Sequence, residues 1–367
     1  MQMREIVQQE LLALLPAKKK TSNKWISFNA VCCQHNGESA DTRGRGGVLP
    51  NPDGSVSYHC FNCGFKTGFY PGRPVTFKFR KLLRWLGADD NTIQRLVMEA
   101  LRLKDLVPVE ERVPAPEPEI TYKPRPLPDN SATIMAWATQ IRLGLPYNED
   151  GLVEWSDLQK AVPEQLADAV EYLHKRKIDI KQYDFYLTDE TSYNLHKRVI
   201  VPFTWKNQII GYTARALTDD VRPKYHNSHD SNYVFNIDKQ LPDSKFVIVV
   251  EGPFDAMAID GVAILGNEIH ETQADIIESL GREVILVPDF DKHLNKKGVE
   301  VWPGSMAIDC AIEYGWNVSF PVWSELDDCK DVAAAVEKFG KLFVLQTILA
   351  GKETNKLKIE LRKKKYA

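Results

Sequence analysis

From Phe246 to Phe339 short apolar runs alternate with amphipathic stretches. Phe246–Val250 (FVIVV), Val262–Leu265 (VAIL), Val284–Val287 (VILV) and a run around Val318–Val322 predict strands; Asp255–Asp260, Thr272–Leu280, Gly304–Tyr314 and Ala333–Phe339 predict helices. That rhythm predicts a mostly parallel sheet covered on both faces. Upstream, Arg198–Leu217 predicts a hairpin, VIVPFTW and IIGYTARAL joined by a turn at Lys206-Asn207-Gln208. Ala132–Lys177 is mostly helical in pattern, and Phe77–Asp105 predicts two short helices separated at Gly87-Ala88-Asp89-Asp90. Between them, Pro108, Pro114, Pro116, Pro118, Pro124, Pro126 and Pro128 exclude helix interiors and central strands, which predicts an extended, semi-rigid spacer. The expected organisation is residues 1–105, a spacer over 106–130, an α+β unit over 131–245, the α/β unit over 246–340 and a basic tail over 341–367.

Composition narrows the class. With 367 residues, 43% apolar content and a net charge of −3, the chain has core enough to fold and is not disordered throughout. Its apolar runs fall well short of the roughly 18 residues a membrane-spanning helix needs. The opening MQMREIVQQE lacks a secretory pattern, so a cytoplasmic protein with reduced cysteines is expected. Charge is unevenly spread: Ala17–Ala88 holds twelve Lys/Arg against three acids, and Lys352–Ala367 seven against two. Basic ends on an acidic body point to a polyanionic partner. For the tail, a solvated helix end is an equally good account.

Four of the six cysteines, Cys32, Cys33, Cys60 and Cys63, lie within 32 residues. Cys32-x2-His35 and Cys60-x2-Cys63 are paired ligands that can converge on one zinc ion, a closed and therefore structural site. Cys33 and His59 adjoin the preferred ligands; neighbouring residues in extended backbone point apart, so one ligand from each adjacent pair is expected. Tyr58, Phe61 and Phe65, with Arg43, Arg45 and Lys66, could hold single-stranded nucleic acid by stacking and charge, or the rings could pack around the knuckle.

A second group is acidic: Glu251 and Asp255 after FVIVV, Asp289 and Asp291 after VILV, and Asp331 beside Lys330. Active sites of open α/β sheets gather at the carboxyl ends of strands, and hard oxygen donors suit Mg²⁺ or Mn²⁺. Asp289 and Asp291, an i, i+2 pair, are expected to face one cation. Asp255 could equally be a helix cap.

Glu251-Gly-Pro-Phe-Asp255, Asp289-Phe-Asp291 and Lys330-Asp331 resemble the motifs of the Toprim domain shared by primases, topoisomerases and some nucleases. Cys32-Cys-Gln-His35-Asn with Tyr58-His-Cys60-Phe-Asn-Cys63-Gly resembles the zinc-binding domain of bacterial and phage DNA primases. Arg198-Val-Ile-Val-Pro202, Ile210–Leu217 and Pro223-Lys224-Tyr225 resemble the basic subdomain of the primase polymerase core. The order of parts and the lack of a G-x4-GK-[ST] loop resemble the single-subunit primases of tailed phages that work with a separate helicase. Cys33 stands where the family usually has proline.

The resemblance implies an α/β (α+β overall) chain with a Toprim, Rossmann-like, mostly parallel sheet, a basic α+β subdomain and a zinc ribbon. It implies a nucleotidyltransferase that makes short RNA primers on single-stranded DNA from ribonucleoside triphosphates by two-metal chemistry, with a replicative helicase as partner. Glu251, Asp289 and Asp291 would be catalytic; these three with Asp255 and Asp331 would hold Mg²⁺ or Mn²⁺. Arg198, Arg215, Lys224 and Lys330 would face nucleotide or template. A Toprim nuclease using the same acids is the alternative.

Overall fold

An antiparallel meander follows α1 (Ile6–Leu14). β1 (Lys19–Ser22), β2 (Trp25–Phe28), β3 (Gly46–Pro50), β4 (Val56–Cys60) and β5 (Lys66–Phe69) pair in chain order. The computed structural model that shows this describes residues 2–107, 120–146, 148–151, 153–189, 195–294, 298, 300–326 and 329–366. Period-two alternation sets the sheet's two faces: Val56, Tyr58 and Cys60 point into a core shared with Phe28, Val48 and Phe69, whereas Ser57 and His59 point outward. The two helices expected next are α2 (Phe77–Trp85) and α3 (Asp90–Leu106). Thr76 and Asp89 accept hydrogen bonds from Phe79 N and Thr92 N and so start them.

Of the proline-rich spacer, residues 108–119, including Pro108, Pro114, Pro116 and Pro118, lie outside the described residues. The remainder is docked. Tyr122 is buried, donates to Asn232 O at 3.0 Å and meets Trp205 and Tyr233 edge-on, while Leu127 packs against Leu195, Ile200 and Ala214.

The second unit begins with β6 (Ala132–Thr133), α4 (Ile134–Gly144), α5 (Trp155–Ala161) and α6 (Glu164–Lys175). β7 (Tyr186–Leu187), β8 (Arg198–Trp205), β9 (Gln208–Ala216) and β10 (Tyr225–Ser228) complete an antiparallel sheet in the order β10-β9-β8-β7-β6. The hairpin expected from sequence is β8–β9. Lys206 and Asn207 both have positive φ, 50° and 62°, as a two-residue turn matched to strand twist requires.

The third unit runs β11 (Phe246–Val250), α7 (Pro253–Ile259), β12 (Val262–Ala263), α8 (Glu271–Ser279), β13 (Glu283–Leu286), a small ribbon of β14 (His293–Leu294) and β15 (Glu300–Val301), α9 (Gly304–Tyr314), β16 (Asn317–Ser319) and α10 (Val332–Phe339). β12, β11, β13 and β16 are parallel neighbours in that order. Their β-branched residues are buried because helices cover both faces. The strand preceding Pro288 ends at Leu286, so the proline costs no ladder hydrogen bond.

Residues 341–367, expected as a tail outside this unit, belong to it as far as they are described. α11 (Lys341–Ala350) buries Val344 and Ile348, β17 (Lys352–Glu353) pairs antiparallel with β16, and α12 (Lys356–Tyr366) buries Ile359.

The zinc-ribbon unit is held to the third unit through α2. Phe77 N donates to Glu278 Oε2 at 2.9 Å, Arg73 to Ser279 O at 3.1 Å, Arg80 to Tyr314 O and Lys78 to Asp275; the Phe77 and Tyr314 rings meet edge-on at 4.5 Å.

Candidate active site and metal centre

The thiol ligands come from two turns. Cys60 ends β4, and Gly64 (φ +74°) closes the knuckle by donating to Cys60 O at 3.0 Å, a backbone conformation that glycine adopts without a Cβ penalty. Cys32 and Cys33 open a short 3-10 turn opposite it. The ligand atoms of Cys32, Cys33, Cys60 and Cys63 all lie within 4.8 Å of one another. Cys32 Sγ is 3.4 Å from Cys63 Sγ and Cys33 Sγ is 3.6 Å from Cys60 Sγ. Four sulfurs about 2.3 Å from one zinc stand about 3.8 Å apart, so the donor set fits that ion.

This corrects the expected set: Cys33 takes the place given to His35. The rule that adjacent side chains point apart holds for strands. Cys32 has helical torsions (φ −85°, ψ −18°), where neighbours differ by about 100° and both sulfurs reach one side. His35 instead stacks on Trp85 at 4.7 Å and 5°. His59 faces outward against Phe61 at 4.2 Å. Burial, with the neighbouring thiols, pushes the Cys32 thiol up, so a bound cation would favour its thiolate. Tyr58 Oη lies 3.2 Å from Cys32 Sγ, and Asn62 donates to Cys33 Sγ at 3.4 Å.

The outer face of the ribbon is open. Strand register puts Lys20, Ser27, Gly47, His59 and Lys66 in one row across all five strands. The Trp25 ring lies over Gly47, where a Cβ would sit 2.9 Å from it, and meets Phe61 at 6.1 Å. Phe61 is 64% exposed, whereas Tyr58 and Phe65 are buried in the core. Of the three rings considered from sequence, one faces out; Trp25 and His59 join it, found through register. Arg45 is spent on Asp41, to which it donates at 2.9 Å.

The carboxylates collect at the other end of the molecule's logic, the switch point of the parallel sheet. β11 connects to β12 on one side while β13 lies on its other side, so a crevice opens between the β11 and β13 carboxyl ends. Glu251 leaves β11, and its Oε1 accepts from Asp289 N at 3.1 Å. Asp255, in the first turn of α7, is 7% exposed and accepts from Ala333 N, at the start of α10, at 2.8 Å; Asp331 caps α10 by accepting from Ala334 N at 2.7 Å. Two carboxylates thus share the positive end of α10. Gly252 makes room for this: a Cβ there would sit 2.5 Å from Asp255 Oδ2.

Burial raises Glu251 to about 7, against the Asp289 N–H. Burial and then Asp331 raise Asp255 to about 7. Asp289 is pushed well up by burial and by Asp255, Glu251, Asp331 and Asp291. Asp289 and Asp291 differ in exposure. Asp289 is half-buried, while the Asp291 side chain is 55% exposed and pairs with Lys330 at 3.4 Å. Among the described residues only the cysteines close to within 4.8 Å, so the carboxylates form a looser group, suited to an ion that keeps waters and binds phosphate oxygens.

Cations face them. Arg215 is 6% exposed over the rings of Tyr225 (4.8 Å) and Tyr172 (5.5 Å). Lys224 is lowered by burial and then by the charges of Arg215, Lys330 and Arg176. Arg176, just beyond α6, was missed in the sequence. Burial opposes its charge, but Tyr172, Asp331 and Asp255 outweigh that and raise it. Arg176, Arg215, Arg222 and Lys224 line a cavity of about 480 Å³. Arg198 is a correction: it is fully buried and donates to Ala214 O at 3.1 Å, Lys224 O at 3.3 Å and Pro223 O at 2.5 Å, so it fastens backbone and meets no nucleotide.

These raised carboxylates give a pH dependence. Their folded values exceed the unfolded ones near 4, so the folded chain holds extra protons from about pH 4 to 7 and their contribution to stability falls as pH rises through that window. A divalent cation displaces those protons. The rise in melting temperature produced by Mg²⁺ is therefore expected to be larger at about pH 8 than at about pH 6, with apparent affinity changing about tenfold per pH unit for each proton released. Thermal melts with and without Mg²⁺ across that range check it.

No family model matches the chain. Over 161 residues it is 27% identical to a DNA primase of Aquifex aeolicus (strain VF5), a stretch that is 40% of this chain and 30% of that protein. The chain thus spans about a third of the curated relative it matches. Among solved structures, it is similar to the zinc-binding and RNA polymerase domains of the Aquifex aeolicus primase (16% identity, 96% of this chain and 85% of that one, TM-score 0.41). It is also similar to the RNA polymerase domain of Mycobacterium tuberculosis primase DnaG (18% identity, 62% and 85%, TM-score 0.42). No helix among the described residues is long and apolar enough to cross a membrane.

Proposed function

We propose that the chain is a DNA primase, a nucleotidyltransferase that joins ribonucleotides into short RNA on single-stranded DNA. The observation that carries this is the crevice at the β11–β13 switch point, where Glu251 accepts from Asp289 N, Asp255 and Asp331 share the start of α10, and Lys330 pairs with Asp291. Similarity to a DNA primase over 161 residues supports it.

Arg176, Arg215, Lys224 and Lys330 bind the triphosphate of an incoming ribonucleotide, and Arg215 is pre-oriented by its stacking on Tyr225. Glu251, raised to about 7, accepts the proton of the attacking 3′-hydroxyl near neutral pH. The 3′-oxygen bonds to the α-phosphorus and pyrophosphate leaves. Asp289, Asp291, Asp331 and Asp255, with Glu251, would hold Mg²⁺ or Mn²⁺, which when bound neutralises phosphate charge. In the ribbon, Trp25, Phe61 and His59 stack template bases, and Lys20 and Lys66 meet phosphates. A separate replicative helicase completes this reading as a partner.

The test is incubation with single-stranded DNA, the four ribonucleotides and Mg²⁺. Short RNA that depends on the template supports the proposal; cleaved DNA without RNA replaces it with a nuclease, and binding alone with a single-strand binder.

A further inference from the structure

The residue between the two carboxylates of Asp289-Phe290-Asp291 is held by a cage of rings. Phe290 stacks on Trp302 at 5.8 Å and 21°, meets Trp323 edge-on at 5.9 Å, and contacts Tyr366 at 5.2 Å. Trp302 also donates from Nε1 to Asp289 O at 2.6 Å, and Phe290 N donates to Lys330 O at 2.7 Å. Both bonds hold the peptide group that joins Asp289 to Phe290, and the cage holds the Phe290 ring. Trp302 and Trp323 come from connections between β15 and α10. Tyr366 comes from the far end of α12, 75 residues beyond Asp291 in sequence. It also touches Trp302 at 5.5 Å and Phe320 at 5.9 Å, and its hydroxyl is 2.6 Å from Ser324 Oγ. The helix has other anchors: Ile359 is 2% exposed, Lys363 pairs with Asp309, and Lys365 pairs with Glu325 at 3.1 Å.

We propose that Tyr366 is a positioning residue for the carboxylates of Asp289 and Asp291, its ring closing the cage that holds Phe290 and with it the directions in which both side chains leave the chain. The inference deepens the primase reading and rests on it for the reaction, but not for cation binding. Because a misplacement of about 1 Å can cost about a hundredfold in rate, a slackened Phe290 shows first where two carboxylates must converge on one ion.

The experiment compares the full chain with Y366F, Y366A and L361A, the last an exposed position on the same helix. Mn²⁺ binding is followed by calorimetry and RNA synthesis by varying Mg²⁺ and ribonucleotide separately. In Y366A the Mn²⁺ dissociation constant is expected to rise about tenfold and kcat to fall about tenfold, with KM for ribonucleotide little changed. Y366F, which keeps the ring, should restore both, and L361A should match the parent. If Y366A does not fold, Y366L, which keeps apolar bulk without the flat ring, is read in its place and should show the same direction. Unchanged Mn²⁺ binding in the alanine or leucine variant overturns the proposal, as does a phenylalanine variant as impaired as alanine. Failure of the parent chain to make RNA removes the primase reading, while the Mn²⁺ comparison still decides the role of Tyr366.

Discussion

Replacing Asp289 with alanine or asparagine is expected to cut RNA synthesis by about a thousandfold or more, several kcal/mol of transition-state stabilisation, while leaving the metal-free protein folded and slightly more stable. Both effects have one cause. Partial burial and the charges of Asp255, Glu251, Asp331 and Asp291 push Asp289 well up, so ionising it there is unfavourable unless a divalent cation shares the site. Removing the carboxyl deletes that repulsion from the empty protein and deletes an oxygen donor from the loaded one. A melting temperature equal to or above the parent's, together with lost synthesis and lost Mg²⁺ stabilisation, is the expected set. Synthesis within tenfold of the parent would remove Asp289 from the reaction. Asp291, exposed and paired with Lys330, should show the loss of synthesis with a smaller change in melting temperature.

The second large effect is in the ribbon. Cys33→Ser is expected to abolish zinc binding and unfold the N-terminal sheet, whereas His35→Ala should keep one zinc per chain. Zinc held by such ligands contributes about 10–16 kcal/mol of apparent binding energy, more than the stability of a unit this size. The buried Cys33, with Asn62 donating to its sulfur, occupies the position a ligand must have. His35 lends only a ring to Trp85 and should cost about 1 kcal/mol. Elemental analysis and far-ultraviolet dichroism of the two variants separate the assignments: zinc retained in Cys33→Ser and absent from His35→Ala would reverse them.

Much of this was legible before the structure. Gly304–Tyr314 matches α9 at both ends because Gly315, at φ +68°, supplies a left-handed stop that sequence can show. Glu251 and Asp289 stood out because each follows a β-branched run, and strand ends are where such sheets place chemistry. The losses have equally definite causes. α11 is apolar on nearly every side, so it has no period to detect, and β17 is two residues long. Cys33 was passed over by applying strand geometry to a helical turn. Arg176 sits in the run Lys175-Arg176-Lys177, where nothing local separates the residue that feels the charges of Asp331 and Asp255 from two exposed neighbours. Arg198 has the reverse problem: a basic residue beside others reads as surface, and only the third dimension shows it tying down the Pro223 and Lys224 carbonyls.

The short strand β17 has a consequence for how the protein keeps to itself. Parallel sheets have two raw borders, each a row of unpaired amides able to recruit another chain. Here Lys352 and Glu353 seal β16 on one side, and a single bridge between Phe235 and Ala263 shields β12 on the other. A fragment ending ahead of Lys352 would present the Asn317–Ser319 border bare, and such a fragment should self-associate in light scattering where the full chain does not.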